Sequence, residues 1–479
     1  MAFGSYLEGD GYMGISALLP RLASTAYYTV WPRIRPGGYL GRLTAALRHR
    51  AGADWQPPEQ VRQAQLQKLN ALLMHAGQRV PYYRRLCEAG QMPDRVDHLE
   101  DIAAAPVLTK AIIRREGEGL LTEDYPAEQL RALATGGSTG EPLHFCSDHD
   151  ALLCKNAAES WSSAMAGLRR GSSIAMLWGA GRFEPSSAAD LREALQRLIT
   201  NRIFIDCFQM GPDDLLRAHR RLSRFRPEGL LGYTSALVEL AYFLEREGIR
   251  PKYPRKTVLS AAETLDDVSR EKLERVFPAP VFNRYGSREM GLIAVECERH
   301  QGLHVDCENV LVELADGPAG TGLKRILVTK LTQFSMPFIR YDIGDLAEGP
   351  LSYCPCGRGF PVLKRVVGRV TETIRFPNDR CLPGELFPHL FKDCGIAAYQ
   401  VFQAPDYSVD VRLVKAPNQT PEQDELMRRV IAQRLGPDIP VRYRYVDRIE
   451  RSPTGKLLPV VSQAPLTLAR GSRRTSLRA

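Results

Sequence analysis

The chain of 479 residues lacks the features of membrane, secreted and disulfide-rich proteins. No run of about eighteen apolar residues is free of charge, so a transmembrane helix is not expected. The first residues carry Glu8 and Asp10 in place of a basic n-region, so a secretory signal is not expected either. Ten cysteines are scattered, and the only close pair, Cys354 and Cys356, is not a disulfide framework. These absences predict a cytoplasmic globular protein with no membrane span and with reduced thiols.

The folded part of the chain also has little excess charge. There are 64 Lys and Arg residues against 55 Asp and Glu residues, a balance of +9. Four of the arginines lie in the final stretch "ARGSRRTSLRA", which indicates a solvated and flexible tail. Nucleic-acid binding needs a basic stripe on a folded element. A zinc-containing nucleic-acid-binding protein is therefore a disfavoured alternative, and no nucleic-acid partner is expected.

Alternating strand and helix patterns predict an α/β protein. Between about 170 and 290, the apolar runs "SIAML", "LLGY", "TVLS" and "PVFNRY" read as strands, and helical patterns such as "SALVELAYFLERE" separate them. Short links between such elements imply βαβ units in a mixed or parallel sheet with helices on its faces. An earlier helix is predicted to begin near Pro58, with Gly77 available to end it.

Changes in the pattern of apolar and polar residues divide the chain into parts. Alternating strands beyond 303 indicate a β-rich subdomain, and a smaller α+β unit surrounds the helix "PEQDELMRRVIAQRL". The chain is predicted to begin with an appendage (1–55), followed by a large multi-subdomain N-terminal domain of βαβ sheets plus the β-rich subdomain (56–370). A small mobile α+β lid (371–462) and a basic tail (463–479) complete it. The roles of the appendage and the tail do not follow from the sequence. Monomer and homodimer both stay open.

The run "ATGGSTGEPL", from Ala134 to Leu143, is a glycine-rich loop without the lysine of a Walker P-loop. A Walker loop needs G-x-x-x-x-G-K-[ST], whereas Glu141 stands here at the lysine position. A Walker nucleotidase is therefore disfavoured. The glycines still let backbone N–H groups approach an anion, and nearby hydroxyls add donors. Taken alone, the loop fits a flexible hairpin equally well.

Four further motifs follow the loop in order: "RYGSREMG" (284–291), "IRYDIGDLAE" (339–348), "VVGRVTE" (366–372) and "SPTGKLLP" (452–459). Together the five motifs resemble those of the adenylate-forming superfamily of acyl-CoA synthetases, peptide-synthetase adenylation domains and luciferases. The chain looks most like the phenylacetate–CoA ligase branch. The resemblance covers roughly residues 60–462.

The resemblance implies an ATP-dependent ligase that activates a carboxylic acid as acyl-AMP and transfers the acyl group to CoA. ATP, Mg²⁺ and CoA would be its cofactors, and the carboxylic acid its substrate. Because no clear signature marks a CoA site, transfer to an amine, a hydroxyl or a carrier-protein thiol is the alternative. A scaffold that has lost catalysis is disfavoured, because the residues below are retained. The sequence does not name the acid.

The resemblance assigns catalytic roles to three residues. Glu289 would hold Mg²⁺, a metal that prefers oxygen ligands. Arg369 would lie near the ribose and the phosphates, and Lys456 would bridge the carboxylate and the α-phosphate. Such fixed charges offset the repulsion between two anionic reactants. The usual hinge acid is replaced here by Thr371, so the pivot of the implied domain rotation is not fixed by the sequence.

The resemblance also assigns binding roles. Asp345 would accept both ribose hydroxyls, and Tyr233 and Trp178 are candidates for the acid pocket. The remaining nucleotide contacts would come from the loop that holds the departing phosphates and from the adenine side: Thr135, Gly136, Gly137, Ser138, Thr139 and Gly140 in the loop, and Ala262, Glu263, Tyr285, Gly286 and Ser287 beside the adenine.

A second set of residues suits a metal. Two short motifs, "VECERH" and "YCPCGRG", supply four soft or borderline ligands, which are Cys297, His300, Cys354 and Cys356. Four such ligands from two turns are typical of a closed, tetrahedral, structural zinc site. His304 and Cys307 are alternative ligands, and the sequence does not decide between His300 and His304. Two unrelated thiol turns beside an exposed histidine are the competing interpretation.

Overall fold

The computed structural model describes most of the chain, namely residues 34, 37–135, 143–178, 199–207, 210–318, 321–369, 373–377, 381–383, 386–391, 394–416, 419–437, 439–450 and 457–464. Five sheets and flanking helices are present in these ranges. Within them, no helix is both long and apolar enough to cross a bilayer.

An eight-stranded mixed sheet forms the centre of the large domain. Its strands are β3 (Ile174–Trp178), β4 (Arg202–Asp206), β5 (Gly229–Tyr233), β6 (Thr257–Ala261), β7 (Val281–Ser287), β8 (Gly291–Glu296), β9 (Leu303–Val305) and β13 (Val362–Leu363). The order across the sheet is β13-β9-β8-β7-β6-β5-β3-β4. The strands from β7 to β4 are parallel, and β8, β9 and β13 continue the sheet antiparallel. This confirms the predicted βαβ arrangement.

The parallel strands are buried on both faces because helices cover both sides. Every residue of β5 and β6 is buried. Leu230 and Val258 point into one hydrophobic cluster, and Leu231 and Leu259 into another. Such strands read as continuous apolar runs, which is why the sequence identified them. The helices of this region are α5 (His149–Met165), α6 (Pro212–Phe225), α7 (Thr234–Arg246) and α8 (Asp267–Val276).

A second sheet of four strands packs beside the N-terminal helices. Its strands, in the order β10-β11-β12-β14, are β10 (Val310–Asp316), β11 (Lys324–Lys330), β12 (Tyr341–Glu348) and β14 (Arg365–Arg369). Its apolar face shares the largest hydrophobic cluster with the helices between 58 and 116. The N-terminal helices are α1 (Tyr39–Arg50), α2 (Pro58–Arg79), α3 (Pro81–Glu88) and α4 (Lys110–Glu116), and a hairpin of β1 (Arg131–Ala134) and β2 (His144–Ser147) lies nearby.

The small C-terminal unit is α+β, as predicted. A four-stranded sheet in the order β19-β18-β17-β20 packs on one long helix through its own hydrophobic cluster. The elements are β15 (Thr373–Arg375), β16 (Cys381–Pro383), α9 (Leu386–Phe391), β17 (Ile396–Gln403), β18 (Val409–Lys415), α10 (Pro421–Leu435), β19 (Val441–Tyr445) and β20 (Val460–Ser462).

Helix α2 begins at Pro58 as predicted, but it runs through Gly77, the expected stop, to Arg79. Helix α1, which lies within the range predicted as an appendage, packs on α5. Arg50 of α1 forms a buried ion pair with Asp306, and this pair holds the appendage side against the core.

Candidate functional site

The carboxyl ends of the parallel strands bring several predicted residues to one edge of the central sheet. Trp178 ends β3, Tyr233 ends β5, and Ala261 ends β6. Tyr233 pairs with Ala261, which in turn pairs with Arg284 on β7. In open α/β sheets, ligands bind outside this edge. The structure therefore gathers the adenine-side and acid-pocket candidates in the place where such a fold binds ligands.

A hydrogen bond joins this edge to the second sheet. The hydroxyl of Tyr285, on β7, donates to Oδ2 of Asp345, on β12, at 2.7 Å. Asp345 is only 9% exposed. The register of β7 and β8 shifts beside Gly286, and a side chain at Gly286 would lie 2.3 Å from the carbonyl oxygen of Gly291. A glycine is therefore needed where the two strands approach each other most closely.

Glu289 lies buried in the turn that follows β7, at 5% exposure. Its Oε1 accepts a hydrogen bond from the hydroxyl of Tyr341 at 3.1 Å. Behind it, Nζ of Lys330 donates to the Glu289 carbonyl oxygen at 3.0 Å and to Oε1 of Gln333 at 2.9 Å. Burial, reinforced by the nearby Lys155, lowers the pKa of Lys330 to about 8. These contacts fix the main chain of the turn that carries Glu289.

The carboxylate of Glu263 accepts hydrogen bonds from the helix that follows β5 and from the segment that follows Lys456. Its Oε2 accepts from the main-chain N–H of Ser235 at 2.7 Å, and its Oε1 from the Ser235 hydroxyl at 3.1 Å. Oε1 also accepts from the main-chain N–H of Leu457 at 3.2 Å. Ala262, just before it, has a φ of +67°, a conformation that is uncommon outside glycine. The residue directly after Lys456 therefore contacts the strand-end edge of the large domain.

The aromatic rings of the two acid-pocket candidates contact each other. The ring centroids of Trp178 and Tyr233 are 4.3 Å apart, with their planes inclined by 44°. Tyr233 is 3% exposed, whereas Trp178 is only partly buried. The pair forms an aromatic wall beside the ends of β3 and β5.

The glycine loop begins and ends in a hairpin. The main-chain N–H of Thr135 donates to the Leu143 carbonyl oxygen, and the N–H of Leu143 donates to the Thr135 hydroxyl, both at 2.9 Å. The Thr135 hydroxyl thus closes the base of the loop. The loop residues between them, Gly136, Gly137, Ser138, Thr139 and Gly140, lie outside the described residues.

Of the three predicted catalytic residues, the structure describes Glu289 in full, Arg369 in its main chain alone, and Lys456 not at all. The main chain of Arg369 pairs with Asp345 across β12 and β14, which places Arg369 beside the predicted ribose ligand. Lys456 lies outside the described residues, and so does Thr371 at the predicted hinge.

The cysteines gather at the antiparallel side of the same sheet. The potential ligand atoms of Cys297, His304, Cys354 and Cys356 all lie within 4.8 Å of one another. Sγ of Cys297 is 3.8 Å from Sγ of Cys354, and Sγ of Cys356 is 3.4 Å from Nε2 of His304. Three thiols and one imidazole around one point are a tetrahedral zinc donor set.

The histidine of this group is His304, the alternative, and not the predicted His300. His300 follows β8 and turns outward, where its Nδ1 lies 3.2 Å from Oε2 of Glu296. The antiparallel pairing of β8 and β9 instead brings His304 back beside the cysteines. Cys307, the other alternative, is fully buried but lies outside the group.

The surroundings of the group act differently on its histidine and on its thiols. Burial lowers the pKa of His304, so that the neutral imidazole is favoured. Its Nδ1 lies 3.1 Å from the Phe360 carbonyl oxygen, an arrangement that directs Nε2 toward Cys356. Burial raises the pKa of Cys297 to about 12. Although burial opposes the charge of Cys356, hydrogen bonds from Arg358 bring the pKa of that thiol below its usual value.

The sequence analysis did not identify the partners that orient the site. The predicted residues are contacted by Ser235, Lys330, Tyr341 and Leu457. Tyr341 and Leu457 belong to two of the five motifs, but the motifs assign them no role, and Ser235 and Lys330 lie outside all five. Two of them lie close to the start of a secondary-structure element: Ser235 is the second residue of a helix that follows a strand, and Tyr341 is the first residue of a strand. The sequence alone gives no register with which to pair such positions.

Known proteins resemble the chain in sequence. It is 26% identical over 328 residues to a phenylacetate-coenzyme A ligase of Thermus thermophilus, covering 66% of this chain and 72% of the relative. It is 26% identical over 353 residues to the enzyme of the same name from Escherichia coli K12, covering 70% and 77%. Protein CapK of Staphylococcus aureus is 22% identical over 298 residues, covering 61% and 64%. The CapK C-terminal domain family matches residues 379–463.

Solved structures share the fold. A 2-hydroxyisobutyryl-CoA ligase, in the postadenylation state and bound to an acyl-AMP, aligns with a TM-score of 0.66 at 17% identity, covering 83% of this chain and 88% of the other. The same ligase in the thioesterification state, with an acyl-AMP and CoA, aligns with a TM-score of 0.56 at 19% identity, covering 86% and 91%. The sequence relatives support the resemblance to the adenylate-forming superfamily and its phenylacetate–CoA ligase-like branch, and the solved ligase structures share the fold.

Proposed function

We propose that the chain is an ATP-dependent acid–CoA ligase. It activates a carboxylic acid as acyl-AMP and then forms the acyl-CoA thioester. One observation carries the proposal: Tyr285, Asp345 and Glu289 converge at the strand-end edge of the sheet, and the segment that follows Lys456 contacts the same edge. Acidic and hydroxyl groups at this edge fit a ribose and a phosphate chain.

The first half-reaction needs charge stabilisation and alignment. A carboxylate oxygen attacks the α-phosphorus of ATP, the bond to the bridging oxygen breaks, and pyrophosphate leaves. Asp345, held by Tyr285, accepts hydrogen bonds from the ribose and so positions the nucleotide. Lys456 supplies a positive charge where the carboxylate and α-phosphate oxygens approach each other, since such preorganised charges act most strongly in the transition state.

Glu289 fits a Mg²⁺ ligand. Its buried carboxylate has two oxygens, and Tyr341 orients it through Oε1. Mg²⁺ bound there would neutralise charge on the phosphates. The contacts of Lys330 and Tyr341 keep this carboxylate at a fixed place before the nucleotide binds.

In the second half-reaction a thiol sulfur attacks the acyl carbon, the bond from that carbon to the AMP oxygen breaks, and the thiol proton is released. The acid would lie against the aromatic wall of Trp178 and Tyr233, which suits an apolar or aromatic acyl group. Because ATP and CoA are the co-substrates, we place the reaction in the cytoplasm. Whether the enzyme is a monomer or a homodimer stays a prediction.

The Cys/His group would hold a structural zinc ion. Its four donors are of the type that zinc prefers, and His304 has the second hydrogen bond typical of a metal-bound imidazole. Four protein ligands leave no open position for substrate. The ion would therefore tie the turn after β8 to the loop that precedes β13, away from the reacting atoms.

The direct test is product analysis. Purified protein is incubated with Mg·ATP, CoA and a panel of aryl, acyl and amino acids, and AMP, pyrophosphate and acyl-CoA are measured. The proposal predicts AMP and pyrophosphate in equal amounts together with an acyl-CoA thioester. AMP release that requires an amine or a carrier protein in place of CoA would support the alternative acceptor. No acid-dependent AMP release would contradict both.

A further inference from the structure

The segment that follows Lys456 is held by two domains at once. In the small domain, Nε2 of Gln400 donates to the Leu458 carbonyl oxygen at 3.2 Å, and the N–H of Val401 donates to the Pro459 carbonyl oxygen at 2.8 Å. In the large domain, Oε1 of Glu263 accepts from the N–H of Leu457 at 3.2 Å. A movement of the small domain would therefore carry Leu458 and Pro459 with it, whereas the contact between Leu457 and Glu263 would break.

The Glu263 carboxylate is oriented independently of the small domain. Ser235 gives it two hydrogen bonds, one from its main chain and one from its hydroxyl. The carbonyl oxygen of Glu263 also accepts from the hydroxyl of Thr234 at 3.3 Å. The uncommon backbone conformation of Ala262, at φ +67°, persists only where its surroundings enforce it. Glu263 thus presents a fixed, charged acceptor to the incoming segment.

We propose that Glu263 is a positioning residue that fixes the described segment after Lys456, which begins at Leu457, at the edge of the large domain during acyl-AMP formation. This rests on the proposed function, because it assigns Lys456 to the first half-reaction. Lysine carries a point charge on a flexible stem, so the position of its main chain decides where the charge can reach. Small errors in such positions cost large factors in rate. A carboxylate that holds the neighbouring N–H reduces that error without touching the reacting atoms.

The contact geometry suggests Glu263→Gln as the test. Two main-chain N–H groups face two different oxygens of Glu263, Ser235 at Oε2 and Leu457 at Oε1. A glutamine has one oxygen, so one of these N–H groups would face the amide nitrogen. The change preserves the size of the side chain. Glu247→Gln, which removes the same charge from an exposed position at the far end of α7, is the matched control.

Three quantities are measured for each variant: single-turnover acyl-AMP formation at saturating ATP and acid, ATP affinity by calorimetry, and thioester formation from synthetic acyl-AMP and CoA. Glu263→Gln should lower the first by about tenfold or more, the loss expected for a charged hydrogen bond. The other two should stay close to the wild type. Glu247→Gln should change none of them.

Each other outcome has a distinct meaning. If wild-type protein forms no acyl-AMP, the proposed function itself fails. If the wild type is active and Glu263→Gln forms acyl-AMP at the same rate, the positioning role is refuted. Weaker ATP affinity with an unchanged saturated rate would overturn it in favour of an adenine contact. Equal loss of both half-reactions, together with a lower melting temperature, would overturn it in favour of a folding defect.

Discussion

Two clusters of functional side chains lie along one central sheet, and the chain assembles them differently. The nucleotide side draws residues from distant parts of the sequence, from Glu263 at the end of β6 to Leu457 beyond the small domain. The Cys/His group takes all its ligands from residues between Cys297 and Cys356, on the antiparallel side of the sheet. One site is completed by two domains, and the other lies within one.

The chemistry of the two clusters differs in the same way. On the nucleotide side, the carboxylates of Asp345 and Glu289 accept hydrogen bonds from tyrosine hydroxyls. In the Cys/His group, four donors already surround one point, and three of them are buried. A site that is complete within one domain suits a structural role, whereas a site that two domains complete suits catalysis by movement.

The largest effect on stability is expected when the Cys/His group loses a ligand, and two histidine variants test which histidine is that ligand. His304→Ala should lose zinc and lower stability by more than about 4 kcal/mol, because structural zinc contributes directly to folding free energy. His300→Ala should keep both, since His300 faces Glu296. Elemental analysis and thermal unfolding measure the two quantities.

A native protein without zinc would refute the metal assignment. Loss of zinc in His300→Ala but not in His304→Ala would refute the choice of histidine. ATP-dependent activity at low temperature should survive in His304→Ala, because the group does not contact the nucleotide side. If His304→Ala is folded but lacks ATP-dependent activity, the two clusters are not functionally independent.

The next effect concerns the side that two domains complete. Lys456→Ala should slow acyl-AMP formation by about 10²–10³, or roughly 3–4 kcal/mol, the loss expected for one preorganised donor. ATP affinity should change little. Thioester formation from synthetic acyl-AMP should suffer far less, because the domain rotation that the resemblance implies would by then have carried Lys456 away from the site. Rapid-quench measurement of both half-reactions checks this prediction. Equal losses in both would contradict a rotation of the small domain between the two half-reactions.

A smaller effect is expected for nucleotide binding. Asp345→Asn removes the charged acceptor proposed for the ribose hydroxyls, which should weaken ATP binding by about 1.5–3 kcal/mol. Asp316→Asn makes the same change at an exposed position of the same sheet and should have no effect. Calorimetric ATP titration distinguishes them. Unchanged affinity in Asp345→Asn would exclude a ribose contact there.

The smallest effect is expected for the link between the two sheets. Tyr285→Phe removes the hydroxyl that donates to Asp345 but keeps the ring, so ATP affinity should fall by about 0.5–1.5 kcal/mol. Combined with Asp345→Asn, the loss should be smaller than the sum of the two, since both act on one contact. Additive losses would show that Tyr285 acts independently of Asp345.

Much of the fold follows from local patterns. The strands β3, β5 and β6 are short apolar runs because helices cover both faces of the sheet. The parallel order of β5, β6 and β7 places Tyr233 and Tyr285 at one edge. The small domain also follows from the sequence, since its helix repeats buried apolar residues every four positions, at Met427, Ile431 and Leu435. These predictions depend only on near neighbours in the chain.

The choice between His300 and His304 could not be made from the sequence. Cys297-x-x-His300 has the spacing of a zinc motif, but the pairing of β8 with β9 decides which histidine returns to the cysteines. Similarly, nothing near Glu263 in the sequence indicates Leu457 as its partner. Contacts between distant segments depend on strand register and domain placement, which short motifs do not carry.

The central claim is that the strand-end edge catalyses adenylation of an acid. It is tested most directly by exchange of labelled pyrophosphate into ATP, measured with Mg²⁺ across a panel of carboxylic acids and without any acceptor. The account predicts exchange that depends on one class of acid and that is lost in Lys456→Ala. No exchange with any acid, together with no ATP binding by calorimetry, would contradict it.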